Sequence, residues 1–368
     1  MKLSSFSSIW YASLLLASVN SSTVKLFPRQ YNITGSVIDQ LYLDALAEGG
    51  NLVVYEGGDG SRARQNLNND FNSRFPGMNA TFIVNLSKYH DIDIDNQLEK
   101  GDLIPSVAHI QTVNDFYRWK EQGHLLQYKP PNWDQVYSDI KDPEGYFTAL
   151  NIISFAPNAL RATYASGAGP IEDEDFLDPK FKNRIVLTYP HDDDAVLYQF
   201  DKLVSNHGWE FIDKLIAQNV TWVRGTGTPV VMIGNNTIPD GVTFTSGNSL
   251  VPNPISRVDI KYPQNSWFLS WGQAAAIFKK APHPAAAKLF MAWFLSDYIQ
   301  KSAFIGWSSR MDIAPKAGYK HITEYPNTSR IDFIDFMRNR TKIESLKLRF
   351  EKLLGHVQGQ SPLLDTNQ

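Results

Sequence analysis

A glycine-rich turn is the first place in the sequence where residue types and spacing predict ligand chemistry. The turn consists of Gly57, Gly58, Asp59, Gly60 and Ser61, and it follows the short apolar run 52–55. Glycines let the backbone approach a ligand closely, and Asp59 or Ser61 could cap the helical stretch that follows. Free N–H groups at such a helix start can bind an anion or another polar group. The alternative is an ordinary capped turn without a ligand.

A cluster of charge follows a second apolar run, residues 185–189. It contains His191, Asp192 and Asp193, whose imidazole and carboxylate groups could coordinate a metal ion. The same carboxylates could instead cap the helix predicted to begin near Ala195. The sequence alone therefore leaves metal binding undetermined here.

A third cluster, Arg224, Gly225, Thr226, Gly227 and Thr228, follows the apolar run 220–223. Its backbone N–H groups, hydroxyls and guanidinium are suited to phosphate or carboxylate recognition. A surface turn of the same composition is the alternative.

Four single residues complete the predicted ligand-binding set: Tyr89, His90, Gln111 and Trp271. The first two follow the apolar run 80–86 and offer a hydroxyl and an imidazole. The tryptophan could stack on a ligand or be buried at a hinge. Residues 91–95 resemble part of a calcium loop, but an acid-rich helix start is the competing interpretation.

All of these residues come directly after apolar runs that predict strands. Short apolar runs alternate with helical patterns through residues 52–122 and again through residues 184–245. This alternation is typical of βαβ units and a largely parallel sheet. A flexible, acidic stretch at residues 165–179 lies between the two regions, and the pattern becomes strongly helical from Pro284. The sequence therefore predicts two α/β lobes with a helical C-terminal section.

The composition sets further limits on function. A chain of 368 residues can form two lobes, and its formal charge of −3 gives no electrostatic reason to expect nucleic acid. The absence of cysteine excludes disulfides, thiolate nucleophiles and thiolate metal ligands. The hydrolase motifs G-x-S-x-G and H-E-x-x-H are also absent. We therefore assign no catalytic residue and expect no cofactor.

The N-terminal segment and the Asn-x-Ser/Thr matches predict export. Residues 1–22 have the charge, apolar length and small residues of a cleaved signal peptide, and an uncleaved anchor is the alternative. No other stretch is long and apolar enough to predict a membrane anchor. Eight acceptor matches, more than chance predicts, favour a secreted glycoprotein. Beyond Asn20 in the leader, these are Asn32, Asn79, Asn85, Asn219, Asn235, Asn327 and Asn339.

Several stretches, in order, resemble one known family. They are LVVYEGGDGSR with FNSRFPG, HIQTVNDFYRWKEQGHLLQYKP, FKNRIVLTYPHDDDAVLYQF, APHPAAAKLFMAWFLSDYIQ and WSSRMDIAPKAGY. The chain resembles periplasmic-binding-protein-like type II proteins. Within that group it is similar to extracellular solute-binding proteins of the ferric-iron ABC-transporter type, in a secreted fungal branch. Together these stretches span most of the range 50–355.

The resemblance implies an α/β fold with two lobes, each a mixed sheet flanked by helices, joined by a hinge and closing over a ligand. It places residues 45–155 and 267–368 in lobe 1 and residues 156–266 in lobe 2. Strand-end loops of both lobes would line the cleft. Iron binders of this family typically use two adjacent tyrosines, and no Tyr-Tyr pair occurs here.

The resulting prediction is a secreted, non-catalytic protein that captures a small molecule, most simply an organic anion or a phosphate ester. A ferric-iron binder, an enzyme on the same scaffold, and a host-interaction protein with a vestigial cleft are the alternatives. The sequence identifies no partner protein.

Overall fold

The computed structural model describes residues 36–60, 65–251, 256–303 and 306–364. The predicted signal peptide, Asn32 and Ser61 lie outside these ranges. Within them, no helix has both the length and the apolar character that crossing a membrane requires.

Helices and strands alternate through much of the chain, as predicted. The α-helices are α1 (Val37–Ala47), α2 (Gln65–Arg74), α3 (Ser87–Lys100), α4 (Asn114–Glu121), α5 (Arg161–Ala165), α6 (Asp194–His207), α7 (Trp209–Ala217), α8 (Thr228–Gly234), α9 (Pro284–Phe294), α10 (Asp332–Arg338) and α11 (Arg340–Leu354). The strands are β1 (Asn51–Gly57), β2 (Asn79–Asn85), β3 (Val107–Ile110), β4 (Thr148–Phe155), β5 (Asn158–Leu160), β6 (Val186–Thr188), β7 (Thr221–Val223), β8 (Val242–Thr243), β9 (Val258–Ile260), β10 (Leu269–Ile277) and β11 (Trp307–Ser308).

The larger sheet has the strand order β11-β4-β10-β3-β1-β2. Strands β1, β2 and β3 are parallel, and β10 pairs antiparallel with both β3 and β4. Every residue of β3 and β10 is buried because helices cover both faces of the sheet. One face packs against Phe290 and Trp293 of α9, and the other packs against Phe116 and Trp119 of α4.

The second lobe contains a three-stranded antiparallel sheet and a two-stranded parallel sheet. Strand β5 pairs antiparallel with β8 and β9, and β6 pairs in parallel with β7. An isolated parallel bridge between Ile185 and Val242 connects these two groups of strands. The protein is thus a mixed α/β, two-lobed molecule, as the sequence predicts.

The chain crosses between the larger sheet and the strands of the second lobe at two points. Residues 156 and 157 connect β4 to β5, and residues 261–268 connect β9 back to β10. The expected change of lobe near residues 155 and 266 stays a prediction.

The C-terminal helix α11 does not fit the expected grouping of residues 267–368 with lobe 1. Phe350 of α11 is fully buried against Phe200 of α6 and Trp209, the first residue of α7. Lys342 also donates a hydrogen bond to the carboxylate of Asp201, at 2.6 Å. Because α11 buries its apolar face on helices of the smaller lobe, we propose that it belongs to lobe 2.

Candidate functional site

A cleft of about 460 Å³ lies between the two lobes, at the ends of strands from both sheets. Most of the predicted ligand-binding residues line it. They are Gly57, Gly58, Asp59, Gly60, Gln111, Asp192, Asp193, Thr226, Gly227 and Trp271.

The glycine turn lies where the carboxyl ends of three parallel strands meet. Gly57 ends β1, Ser87 follows β2, and Gln111 follows β3. The backbone N–H of Gln111 donates to the Ser87 hydroxyl at 2.9 Å. A Cβ on Gly57 would lie 2.4 Å from the Ser87 Oγ and 3.3 Å from the Ile110 Cα, so the packing excludes a side chain there. The close approach of these strand ends therefore accounts for the first glycine of the turn.

Three side-chain bridges connect the lobes across the cleft, and we call them the interlobe bridges. In the first, an Asp59 carboxylate oxygen accepts hydrogen bonds from the Thr226 N–H, at 2.6 Å, and from the Thr226 hydroxyl. The predicted glycine turn and the predicted Arg-Gly-Thr loop thus contact each other directly. The three pairs are Asp59–Thr226, Lys88–Asp192 and Gln111–Asp193.

The second bridge is an ion pair. Lys88, in the first turn of α3, places its Nζ 2.9 Å from an Asp192 carboxylate oxygen. Arg224 binds the other oxygen of the same carboxylate through its Nε, also at 2.9 Å. Burial raises the pKa of Asp192, but the hydrogen bond from Arg224 and the charge of Lys88 outweigh it and leave the pKa below its ordinary value. Asp192 is therefore a carboxylate shared by two cations from opposite lobes.

Asp193 has a different environment although it is the next residue. Its carboxylate caps α6 by accepting from the N–H groups of Ala195 and Val196, at 2.9 and 3.0 Å. The Gln111 amide reaches the same oxygen at 3.4 Å. Burial raises the pKa of Asp193 to about 7, and the negative charge of Asp59 adds to this shift. Asp193 is therefore protonated more readily than an ordinary aspartate.

The inner end of the cleft is aromatic. Trp271 and Phe155 both line it, are almost completely buried, and pack edge to face with ring centroids 5.3 Å apart. Among the described residues, neither the Trp271 Nε1 nor the Thr112 hydroxyl has a hydrogen-bond partner. The cleft therefore combines an apolar inner wall, two unused polar groups and a charged outer part, which suits a small organic molecule.

Comparison with known proteins accounts for this architecture. Residues 99–303, more than half of the chain, match the family model described as bacterial extracellular solute-binding protein. The chain belongs to this family. No curated protein has significant similarity to it.

Solved structures share the fold of this solute-binding protein at low sequence identity. Iron-bound HitA from Pseudomonas aeruginosa is 15% identical, with 82% of this chain and 99% of that chain covered and a TM-score of 0.62. The substrate-binding protein of an ABC transporter from Agrobacterium tumefaciens is 12% identical, with 83% of this chain and 94% of that chain covered and a TM-score of 0.70. AfuA from Actinobacillus pleuropneumoniae, with exogenous fructose-6-phosphate bound, is 18% identical, with 83% of this chain and 99% of that chain covered and a TM-score of 0.64. These likenesses establish the two-lobed fold.

Two predicted residues of the solute-binding protein lie in a helix and not in a strand-end loop. Helix α3 begins immediately after β2, so Tyr89 points outwards and is 41% exposed. His90 is buried, stacks on Tyr55 with ring centroids 4.3 Å apart, and donates from Nε2 to the Ile83 carbonyl at 3.0 Å. Burial lowers the pKa of His90. Neither residue lines the cleft. Residues 91–95 continue the same helix, so the calcium-loop interpretation is wrong.

The remaining predicted residues outside the cleft lining have structural partners. His191 donates from Nε2 to the Gly355 carbonyl at 3.0 Å, and Arg224 pairs with Asp192. Gly225 has a φ of +77°, and Thr228 starts α8 with its hydroxyl donating to the Arg224 carbonyl. In the described residues, no group of three or more His, Asp or Glu side chains is placed to hold a metal ion. The predicted metal alternative at 191–193 therefore has no support in the geometry.

Other lining residues were absent from the predicted set. They are Leu86, Ser87, Lys88, Thr112, Ile153, Phe155, Asp194, Val231, Gly247 and Gln273. Lys88 and Thr112 follow predicted strands within two or three residues. Their position just after a strand end is the feature of the sequence that could have identified them as cleft residues. Phe155 and Gln273 come from β4 and β10, and nothing local marks them as cleft residues.

The predicted acceptor asparagines differ in accessibility. Asn85 is partly buried, and both Nδ2 hydrogens of Asn327 are used, in bonds to the Pro263 and Ser266 carbonyls at 2.9 and 2.6 Å. A glycan on the Asn327 Nδ2 would remove one of these hydrogen bonds, so Asn327 is the predicted acceptor least suited to glycosylation. The exposed acceptors are Asn79, Asn219, Asn235 and Asn339.

Proposed function

We propose that this protein captures a small organic solute between its lobes and closes over it without chemical change. The observation that carries the proposal is the set of interlobe bridges, which join the lobes in front of an apolar inner wall. A ligand in this cleft would be enclosed by both lobes, so its binding energy would favour the closed arrangement.

The cleft suits an organic solute better than bare ferric iron. HitA is described as iron-bound, but the described part of this chain offers no cluster of metal-binding side chains in its cleft. Trp271 and Phe155 provide apolar contact area that a metal ion would not use. The ferric-iron type and the fungal branch stay predictions.

The predicted ligand class, an organic anion or a phosphate ester, was based on the glycine turn and on the loop from Arg224 to Thr228, in which the Arg224 guanidinium is the only charged group. Arg224 instead faces Asp192, and Lys88 contacts the same carboxylate. The AfuA structure contains fructose-6-phosphate, so phosphate esters belong in any ligand screen. An anion would have to draw Lys88 away from Asp192.

We also infer that the protein is exported and glycosylated. The family is one of extracellular solute-binding proteins, and the predicted leader and the exposed acceptor asparagines support the same destination. Peptide mapping of secreted protein before and after glycan removal would identify the modified positions.

Native mass spectrometry of the secreted protein tests solute capture. We expect a stoichiometric small molecule to remain bound, and liquid chromatography with mass spectrometry would identify it. Val231→Trp places a large side chain in the cleft lining and should abolish this bound species. Ile92→Trp, on the exposed side of α3, should retain it.

Two results would contradict capture. One is solute-free protein that no candidate small molecule stabilises in thermal shift; the other is a solute retained equally in Val231→Trp. Conversion of the bound solute to a product on incubation would favour the enzyme alternative.

A further inference from the structure

The charges that line the cleft are unbalanced. Four carboxylates and a single cation line it among the residues that the structure describes: Asp59, Asp192, Asp193, Asp194 and Lys88. An acidic cleft repels anions and attracts cations, and a concave, partly apolar site strengthens both effects.

Two of the four carboxylates already have cationic partners. Asp192 is held by Lys88 and Arg224, as described above. Asp194 lies 2.9 Å from the Nζ of Lys347, a residue of α11. Their charges are therefore largely compensated by the protein itself.

The other two carboxylates have only neutral donors. Asp59 accepts from the N–H and hydroxyl of Thr226, and Asp193 accepts from the N–H groups of Ala195 and Val196. In the described ranges, neither forms an ion pair. They belong to opposite lobes, so closing the cleft brings two negative charges together. The mutual repulsion also contributes to the raised pKa of Asp193.

A separate observation concerns two buried polar groups at the same cleft. Thr112 and Trp271 line the same cleft, and the two residues are 4% and 1% exposed. No described group bonds to either. Leaving a buried polar group without a partner costs about 1–3 kcal/mol, so buried polar groups are normally paired in proteins. A hydrogen-bond acceptor on the solute would satisfy either group.

We propose that the solute is an organic cation with an ammonium or cationic heteroaromatic group placed between Asp59 and Asp193. Its apolar body lies against Trp271 and Phe155, and an acceptor atom faces Thr112. This inference rests on the proposed function and specifies the substrate class of that cleft.

The physical reason is that a positive group changes the electrostatics of closure. Without it, closure brings together two carboxylates that form no ion pair among the described residues, and on Asp193 only the more distant charge of Lys88 offsets the repulsion; with it, each carboxylate gains a direct attractive partner. A phosphate ester would instead bring about two negative charges at neutral pH towards the same pair.

A set of four probes with a common phenyl body tests the charge class. Benzylammonium, benzyl alcohol, benzoate and phenyl phosphate are titrated into the full chain, and binding is followed by saturation-transfer NMR. We expect benzylammonium to bind about 10-fold more tightly than benzyl alcohol, and both anions to bind more weakly than the alcohol. The inference is overturned if either anion matches benzylammonium, or if no probe shows charge preference or binding.

Single substitutions then locate the positive group. Asp59→Asn and Asp193→Asn keep hydrogen-bonding side chains of the same size and should each weaken benzylammonium about 10-fold, with little effect on benzyl alcohol. Asp134→Asn, an exposed site outside the cleft, removes the same charge and should leave both affinities unchanged. Equal loss for both probes in the Asp59 and Asp193 variants would refute the placement.

The charge inference and the proposed function fail in different ways. If native mass spectrometry finds a bound anionic solute, capture stands and the cation assignment falls. If no solute is bound and no probe binds, both fall.

Discussion

The ion pair between Lys88 and Asp192 should control how far the ligand-free cleft opens. We predict that Lys88→Met shifts the ligand-free protein towards an open arrangement. The substitution keeps an unbranched side chain of similar length and removes the ammonium group. Lys88 lies on α3 of one lobe and Asp192 lies at the start of α6 of the other, so their contact exists only when the lobes are close.

The magnitude follows from the surroundings of the pair. The Lys88 side chain is 31% exposed and the Asp192 side chain is 9% exposed, so water screens the pair in part. Arg224 remains on Asp192 after the substitution, so no charge is left uncompensated in the protein. Losing this ion pair should therefore destabilise the closed arrangement by less than breaking a fully buried pair would. We estimate that Lys88→Met shifts the free-energy difference between closed and open arrangements by about 1–2 kcal/mol in favour of the open one. This corresponds to roughly a 5- to 30-fold change in the ratio of open to closed molecules.

The distance between the lobes can be measured directly because the chain has no cysteine. Spin labels on Glu99→Cys in α3 and Asp213→Cys in α7, both exposed positions, report the separation by double electron–electron resonance. Lys88→Met should add or enlarge a long-distance population. Lys100→Met, an exposed lysine of the same helix, serves as the control and should match the parent distribution. Identical distributions for Lys88→Met and the parent would refute the reasoning.

Three further predictions concern pH, packing and backbone geometry. Because the pKa of Asp193 is raised to about 7 in the folded protein, its contribution to the free energy of unfolding is largest at low pH and falls as pH rises from about 4 to 7. Urea unfolding of Asp193→Asn should lack this component, and equal pH dependence in both proteins would contradict it. Phe350→Ala should lower the free energy of unfolding by about 3–5 kcal/mol, whereas Leu348→Ala, at a 65% exposed site, should change it by less than about 0.5 kcal/mol. Similar losses in the two variants, measured by denaturant unfolding, would argue against α11 packing as described. Gly57→Ala should destabilise by about 1–3 kcal/mol through its contact with the Ser87 hydroxyl, and adding Ser87→Ala should recover part of that loss in thermal unfolding; no recovery would indicate another cause.

Local sequence determined the strand-end positions of the site. Apolar runs followed by glycine or polar residues predicted Gly57, Asp59, Gln111 and Thr226 near a ligand, and all four line one cleft. The reason is geometric, since the carboxyl ends of neighbouring parallel strands meet at one edge of a sheet. The α/β alternation likewise followed from apolar periodicity alone.

Tertiary structure decided which side chains at those strand ends face the cleft. Tyr89 and His90 follow β2 as predicted, but α3 begins at once, and its helical rotation turns one residue outwards and the other into the core. The local sequence does not specify which side chains of α3 face the other lobe. Phe155 and Trp271 reach the cleft from strands more than a hundred residues apart, and only their packing brings them together.

The charge of the site was also decided by long-range contacts. In the sequence, the glycine turn and the loop from Arg224 to Thr228 suggested an anionic ligand, and Lys88 had no assigned role. In the folded chain Arg224 and Lys88 both bind Asp192, while Asp59 and Asp193 have only neutral donors among the described residues. The sequence determined that a cleft of this family forms and where its loops lie. The tertiary structure determined which charged groups are left to contact a ligand. The reason is that an ion pair forms between residues that folding brings within a few ångströms, whatever their separation along the chain.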